Sequence, residues 1–85
     1  MKGLNDYQQM KQLKDPYELV AEALETDKST LTEKSKMHNH PNWDSVENVS
    51  IMVALEEHYG LEIKDAMRYN SMEAILQLYK QLQNS

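Results

Sequence analysis

The segment from Asp44 to Gly60 constrains the fold more than any other part of this 85-residue chain. It begins with Asp44 and an acid three residues later, Glu47, which together resemble a helix capping box. Gly60 supplies the residue type at which helices commonly stop. The residues between them recur at helical spacing and include no glycine or proline. We therefore predict a helix that begins at Asp44 or Ser45 and ends near Tyr59.

This helix carries two apolar faces. At about 100° per residue, one arc holds Ile51, Met52, Leu55 and Tyr59, a second arc holds Val46, Val49 and Val53, and Glu56 falls between them. One arc can serve the core of a small domain. The valine arc is then either an exposed stripe or a second buried face in a tight bundle, and the pattern alone leaves both possibilities open.

A first helix is predicted upstream of this segment. Asp15 and Pro16 form a helix start with an acid three residues after the cap, and apolar residues recur from there to about Thr26. Residues 1–14 have only weak helical periodicity, and we expect them to be a frayed extension. Residues 15–85 should form the single domain.

A long loop and two shorter elements complete the pattern. Residues 27–43 are rich in Ser, Thr, Lys, Asn and Pro, which predicts a loop fastened by Leu31 and Met37. Loops of this length in compact domains are uncommon and often functional. A short turn at 64–68 precedes a last helix, which Asn70-Ser71 caps and whose apolar face is Met72, Ile75, Leu76, Tyr79 and Leu82.

Length and composition exclude several classes of protein. A chain of this size buries only about 60% of its unfolded surface, so we expect one small core and no large enclosed active site. The chain contains no Cys, which excludes a disulfide framework, a zinc–thiolate site and a cysteine nucleophile. No apolar stretch approaches the ~20 residues of a membrane span, and the first residues are polar, so we expect a cytoplasmic protein.

The negative charge is concentrated in one segment. Between Met37 and Ile63 there are five acidic residues and no Lys or Arg, so the whole net charge of −5 arises there. Such a segment repels nucleic acid and attracts basic protein surfaces, although most charge runs are only solvated helix faces. We expect a monomer that binds no nucleic acid.

The residue types around this helix follow a known pattern. The matching positions are Leu24, Leu31, Thr32, Met37, Asp44, Ser45, Val49, Ala54, Leu55, Glu56, Glu57, Tyr59, Glu62 and Ile63. At these positions the chain resembles the acyl carrier proteins. When Ser45 is aligned with the serine that is modified in that family, the match runs from Leu24 to Ile63 without a gap. It continues to about Leu82 after a shortening near Arg68. The resemblance implies an all-α, four-helix acyl-carrier-like bundle with a long loop between helices 1 and 2 and a short third helix.

The resemblance also implies the chemistry. A phosphopantetheinyl transferase would attach 4'-phosphopantetheine from coenzyme A to Ser45, and the arm would hold acyl groups as thioesters. Asp44 would cap the helix and help the transferase recognise the site. Acyl-loading and acyl-transferring enzymes with basic docking surfaces would bind Val46, Glu47, Val49, Val53, Glu56 and Glu57. The carrier would need no catalytic residue, and the chain has no Gly-x-Ser-x-Gly elbow or triad.

Some positions depart from the family pattern. The usual Gly-x-Asp-Ser-Leu is here Asn42-Trp43-Asp44-Ser45-Val46, Ser50 replaces an acid, and the third helix is about two residues short. The Trp-Asp-Ser variant is similar to stand-alone carriers that often serve specialised pathways. Fatty acid, polyketide and other acyl-transfer pathways all remain open.

Two alternatives come from other classes. The chain could be an unmodified carrier-like interaction module in which Ser45 is only a helix cap. It could also be a small metal-binding protein that uses His38, His40 and His58, but His-x-His without Cys or a firm carboxylate ligand is a weak pattern, and we expect no metal. Trp43 either packs the loop onto the helix start or touches the arm or its cargo.

Overall fold

The computed structural model describes residues 13–84. It contains three α-helices and two 3₁₀ turns, in the order α1 (Pro16–Leu24), turn Lys28–Thr30, α2 (Ser45–Tyr59), turn Ala66–Tyr69 and α3 (Met72–Gln83). No β-strand occurs in this part of the chain, where the only sheet-like pairing is an isolated bridge between Lys36 and Ser71. The predicted all-α class is confirmed. The four-helix count is not, because the expected short third helix is the four-residue 3₁₀ turn Ala66–Tyr69.

Helix α1 ends at Leu24 and not near Thr26 as predicted. Glu25 adopts the left-handed conformation (φ 55°), and its N–H donates to the Glu22 carbonyl at 3.1 Å. The side-chain amide of Asn42 donates to the Leu24 carbonyl at 3.3 Å. The loop thus satisfies one of the free carbonyls of the helix end from 18 residues away, a contact that local periodicity cannot indicate.

Helix α2 has the predicted bounds, because both ends are determined locally. The Asp44 carboxylate accepts the Glu47 backbone N–H at 2.9 Å. At the other end, Gly60 has φ 68° and its N–H donates to the Glu56 carbonyl at 3.0 Å. A Cβ at Gly60 would meet no atom within 4 Å, so the positive φ, and not crowding, favours glycine there.

The core lies where the three helices meet. Its buried apolar side chains are Leu19, Val20, Ala21 and Leu24 from α1, Ile51, Met52, Leu55 and Tyr59 from α2, Met72, Ile75 and Leu78 from α3, and Leu31 and Trp43 from the loop. Leu78 was not predicted. Leu76, Tyr79 and Leu82, which were predicted for the inner face of α3, are only partly buried. The face of α3 that meets the core is therefore rotated toward Leu78.

Part of the predicted N-terminal extension contacts the domain. Residues 1–12 lie outside the described residues, whereas Leu13 is partly buried against the core and Lys14 pairs with Glu22 at 3.0 Å. The Tyr59 hydroxyl donates to the Lys14 carbonyl at 2.8 Å. Across residues 13–84, no helix has the length and apolar character that crossing a membrane requires.

Candidate functional site

Ser45 is the first residue of α2 and is exposed to solvent. The preceding residue, Asp44, caps the helix through the Glu47 N–H, so Ser45 is not needed as the cap. No group among residues 13–84 hydrogen-bonds the Ser45 hydroxyl. The oxygen is therefore accessible and uncommitted, as a serine that another enzyme modifies must be.

The backbone around Ser45 favours a negatively charged substituent. The geometry of a helix start leaves the N–H groups of Ser45 and Val46 without intrahelical acceptors, and the helix dipole places partial positive charge there. The Asp44 carboxylate opposes an added anion, but it also accepts the Glu47 N–H and so holds the helix end in place. An exposed hydroxyl at the positive end of a helix is compatible with a phosphodiester at this position.

Trp43 packs the long loop against α2. Its side chain is fully buried, and its indole N–H donates to Asn48 Oδ1 at 2.9 Å. Its carbonyl accepts the His38 N–H at 2.8 Å. Of the two predicted roles for Trp43, packing the loop onto the helix start is the observed one.

Asn48 is a buried polar residue that sequence reasoning missed. It lies on the same arc of α2 as Ile51 and Leu55, with 2% of its surface exposed. Besides accepting from Trp43, its side-chain amide donates to the Ala66 carbonyl at 3.2 Å. Asn48 thereby joins the loop, the first turn of α2 and the turn Ala66–Tyr69.

The long loop is ordered by hydrogen bonds along its length. His40 Nδ1 accepts the Asn42 N–H at 3.1 Å, and its Nε2 lies 2.9 Å from the Thr30 hydroxyl. Further along, Met37 N–H donates to the Asn70 carbonyl at 2.9 Å, which joins the loop to the residues before α3. The segment that precedes Ser45 is thus fastened both within itself and to a distant part of the chain.

The valine arc of α2 is exposed, which decides between the two predicted arrangements. Val46, Val49 and Val53 have 72%, 56% and 47% of their surface accessible. Three aliphatic side chains at helical spacing on one exposed face form a contiguous stripe, whereas isolated surface valines would need no explanation.

Acidic residues flank this stripe without basic partners. Glu57 is exposed and Glu47 half-buried, and neither forms an ion pair within the part of the chain that the structure describes. Glu56 differs, because it is partly buried and its Oε2 accepts the Ile63 N–H at 2.8 Å. Glu47 and Glu57 therefore present free charge, while one oxygen of Glu56 serves the fold.

Met67 is a further exposed apolar side chain. It has 56% of its surface accessible and lies in the turn that Asn48 holds through the Ala66 carbonyl. The Ile63 N–H bonds Glu56 near the end of α2, and the Ala66 carbonyl bonds Asn48 near its start. From Ile63 to Ala66 the chain therefore runs toward the Ser45 end of α2. Sequence reasoning missed Met67 because a single methionine in a polar turn has no periodicity.

The three histidines belong to the metal-binding alternative. His40 is engaged by Thr30 and Asn42, and His58 is exposed on α2. Residues 13–84 contain no group of three or more His, Asp or Glu side chains arranged to hold a metal ion. The metal-binding alternative has no support in the geometry.

Comparisons with known proteins point to one family. No protein-family model matches the chain. The acyl carrier proteins of Rickettsia canadensis (strain McKiel) and Rickettsia rickettsii (strain Iowa) are each 35% identical to it over 69 residues, which cover 79% of this chain and 80% of the relative. That of Rickettsia typhi (strain ATCC VR-144 / Wilmington) is 32% identical over the same share. The chain therefore belongs to the acyl carrier protein family and is a carrier protein, not an enzyme.

Proposed function

We propose that the protein carries acyl groups as thioesters on a 4'-phosphopantetheine arm attached to Ser45. The observation that supports this most is the exposed Ser45 hydroxyl at the start of α2, which has no hydrogen-bond partner among the described residues. Asp44, and not Ser45, caps the helix. Membership of the acyl carrier protein family supports the same assignment.

Ser45 supplies the oxygen to which the arm is attached, and no residue of the chain acts as an acid or base in the reaction. A transferase removes the Ser45 proton, the serine oxygen bonds to a phosphorus of coenzyme A, and the bond from that phosphorus to the nucleotide half breaks. The arm's terminal thiol supplies the position at which acyl groups are carried. Asp44 holds the helix end on which Ser45 is presented. Since coenzyme A is the donor, we place the modification in the cytoplasm.

We also propose that partner enzymes bind the valine stripe and the acids beside it. Val46, Val49 and Val53 offer apolar contact, and Glu47 and Glu57 offer unpaired charge that steers basic surfaces. Glu56 contributes less free charge because of its bond to Ile63. The partners are then the transferase and acyl-transferring enzymes with basic docking sites.

The test is mass spectrometry of the intact protein after incubation with coenzyme A and a broad-specificity phosphopantetheinyl transferase. We expect one added phosphopantetheine, lost in Ser45→Ala and kept in Ser50→Ala, an exposed serine on the same helix. Circular dichroism should show both variants folded. Modification that persists in Ser45→Ala would contradict the site. A wild type that stays unmodified would favour the alternative of an unmodified interaction module.

The pathway can be approached through Ser50. This position lacks the acid that the family commonly places there, so we propose that the carrier serves a dedicated set of acyl-transfer enzymes. Ser50→Glu should then improve loading by generic fatty-acid enzymes. Equal loading of the wild type and of Ser50→Glu would argue against a dedicated set.

A further inference from the structure

The buried polar cluster beside Ser45 has a role of its own. We infer that the hydrogen bonds from Trp43 to Asn48 and from Asn48 to Ala66, here called the Trp43–Asn48 clamp, position Ser45 for the transferase that modifies it. This inference rests on the proposed function. Trp43 and Asn48 are positioning residues, since neither is exposed enough to touch the incoming coenzyme A.

The burial of the clamp is the first observation behind it. Trp43 has 0% and Asn48 2% of its surface exposed, and their bond measures 2.9 Å. A buried amide is costly unless it is hydrogen-bonded, and a bond between two buried side chains has one preferred geometry. An apolar residue at position 48 would suit the inner arc of α2, which it shares with Ile51 and Leu55. The amide adds two directed contacts that an apolar side chain could not make.

The second observation is which parts of the chain those contacts join. Trp43 precedes Ser45 by two residues, and its carbonyl is fixed in turn by the His38 N–H at 2.8 Å. On the other side, the Asn48 amide holds Ala66, the first residue of the turn that exposes Met67. The modified serine and a separate exposed apolar side chain are thus tied to one buried residue.

This arrangement predicts an effect on binding. A transferase that docks over Ser45 and this turn meets a surface whose parts already have their bound arrangement, so it does not have to order them. Without the clamp, binding of the transferase would have to order the residues around Ser45, which costs free energy. The Michaelis constant for the carrier should rise, while the turnover number, measured once the complex has formed, should change little.

Two single variants break the clamp from opposite sides. Trp43→Phe removes the indole N–H, and Asn48→Ala removes both of the amide's contacts. Each should raise the transferase KM for the carrier by about three- to tenfold, the scale of immobilising one or two side chains, with kcat nearly unchanged. Assays are run at a temperature at which circular dichroism shows every variant folded. Unchanged KM in both variants would overturn the inference.

A control and a double variant separate positioning from stability. Leu19→Ala opens the core on α1, and Leu19 takes part in none of the clamp's hydrogen bonds, so its KM should stay near that of the wild type. Trp43→Phe with Asn48→Leu leaves neither side chain with an unsatisfied polar group, so its melting temperature should exceed that of Trp43→Phe alone. Its KM should nonetheless remain raised. A KM that returns to the wild-type value along with stability would mean that the clamp is only structural.

The clamp can also be observed without the transferase. The chain has one Trp, so its indole N–H gives a single proton resonance whose exchange with solvent reports the bond to Asn48. Exchange should be slow in the wild type and in Ser45→Ala and much faster in Asn48→Ala. Fast exchange in the wild type would overturn the clamp while modification at Ser45 still stands. If the wild type accepts no phosphopantetheine, the proposed function itself is overturned. That failure is distinguishable from failure of the clamp, which concerns only the variants' KM and the exchange of the indole proton.

Discussion

The two sides of α2 have similar aliphatic side chains and opposite surroundings. Ile51 and Leu55 are fully buried, whereas Val49 and Val53 keep 56% and 47% of their surface exposed. The difference lies in what packs against each side, because α1 and the turn Ala66–Tyr69 pack against α2 while the valines stay exposed. The comparison teaches that apolar periodicity locates a helix without deciding which apolar face is core. In a chain too short to bury both, the remaining face is available to partners.

The largest effect should come from the buried side. Leu55→Ala should lower the free energy of unfolding by ~2–5 kcal/mol through lost burial and a residual cavity. This is a large share of the roughly 5–15 kcal/mol of a typical domain. Urea unfolding followed by circular dichroism measures it, with Val53→Ala on the exposed side as the matched control. Similar losses for both variants would contradict the division of α2 into two unlike sides.

The buried side also carries one titratable group. Burial raises the pKa of Tyr59 above its ordinary value of 10.0, with smaller contributions from the charges of Tyr79 and Asp15. The phenol ionises more easily in the unfolded chain, so its contribution to stability is complete below pH 10.0 and is lost as the pH rises further. Tyr59→Phe should lose less stability than the wild type over that alkaline range. Parallel pH profiles of the two proteins, normalised to neutral pH, would show that Tyr59 does not contribute.

The acids of the exposed side should affect association more than folding. Glu57→Lys should slow binding to a transferase with a basic docking surface severalfold, and added salt should slow the wild type because free charges are screened over about 8–10 Å. Glu33→Lys, an exposed acid in the loop, is the control. Stopped-flow association at several salt concentrations measures both. Rates insensitive to salt and to Glu57→Lys would mean that the acidic side is only solvated.

The smallest effect on folding should come from the valine stripe itself. Val49→Ala should change the free energy of unfolding by less than ~0.5 kcal/mol, as is usual for exposed positions. The same variant should weaken the docked complex, measured as a raised dissociation constant for the transferase. A large loss of stability would place Val49 in the core after all.

The elements that the sequence predicted correctly are those whose determinants are local. The bounds of α2 follow from the Asp44 cap and from Gly60, each within a few residues of the helix end. The Asp44 cap is observed, whereas modification of Ser45 follows from the family pattern and stays a prediction. Exposure of the valine stripe, in contrast, depends on which side of α2 distant parts of the chain pack against, and the sequence predicted it only as one of two possibilities.

What the sequence did not predict depends on distant contacts. Helix α1 ends early where Asn42 reaches Leu24 across 18 residues. Asn48 interrupts an apolar arc, and its second partner, Ala66, is again 18 residues away. The short third helix of the family pattern is a single 3₁₀ turn here, in a segment too short for stable helix formation on its own.

The position of Trp43 gives the protein a built-in optical reporter. Because the chain has one Trp and that side chain is fully buried, all indole emission comes from a water-free position two residues before Ser45. Attachment of the arm, loading of cargo or docking of a partner that loosens the loop should shift this emission to longer wavelength, and events that leave the loop packed should not. State changes of the carrier can therefore be followed in real time without an added label.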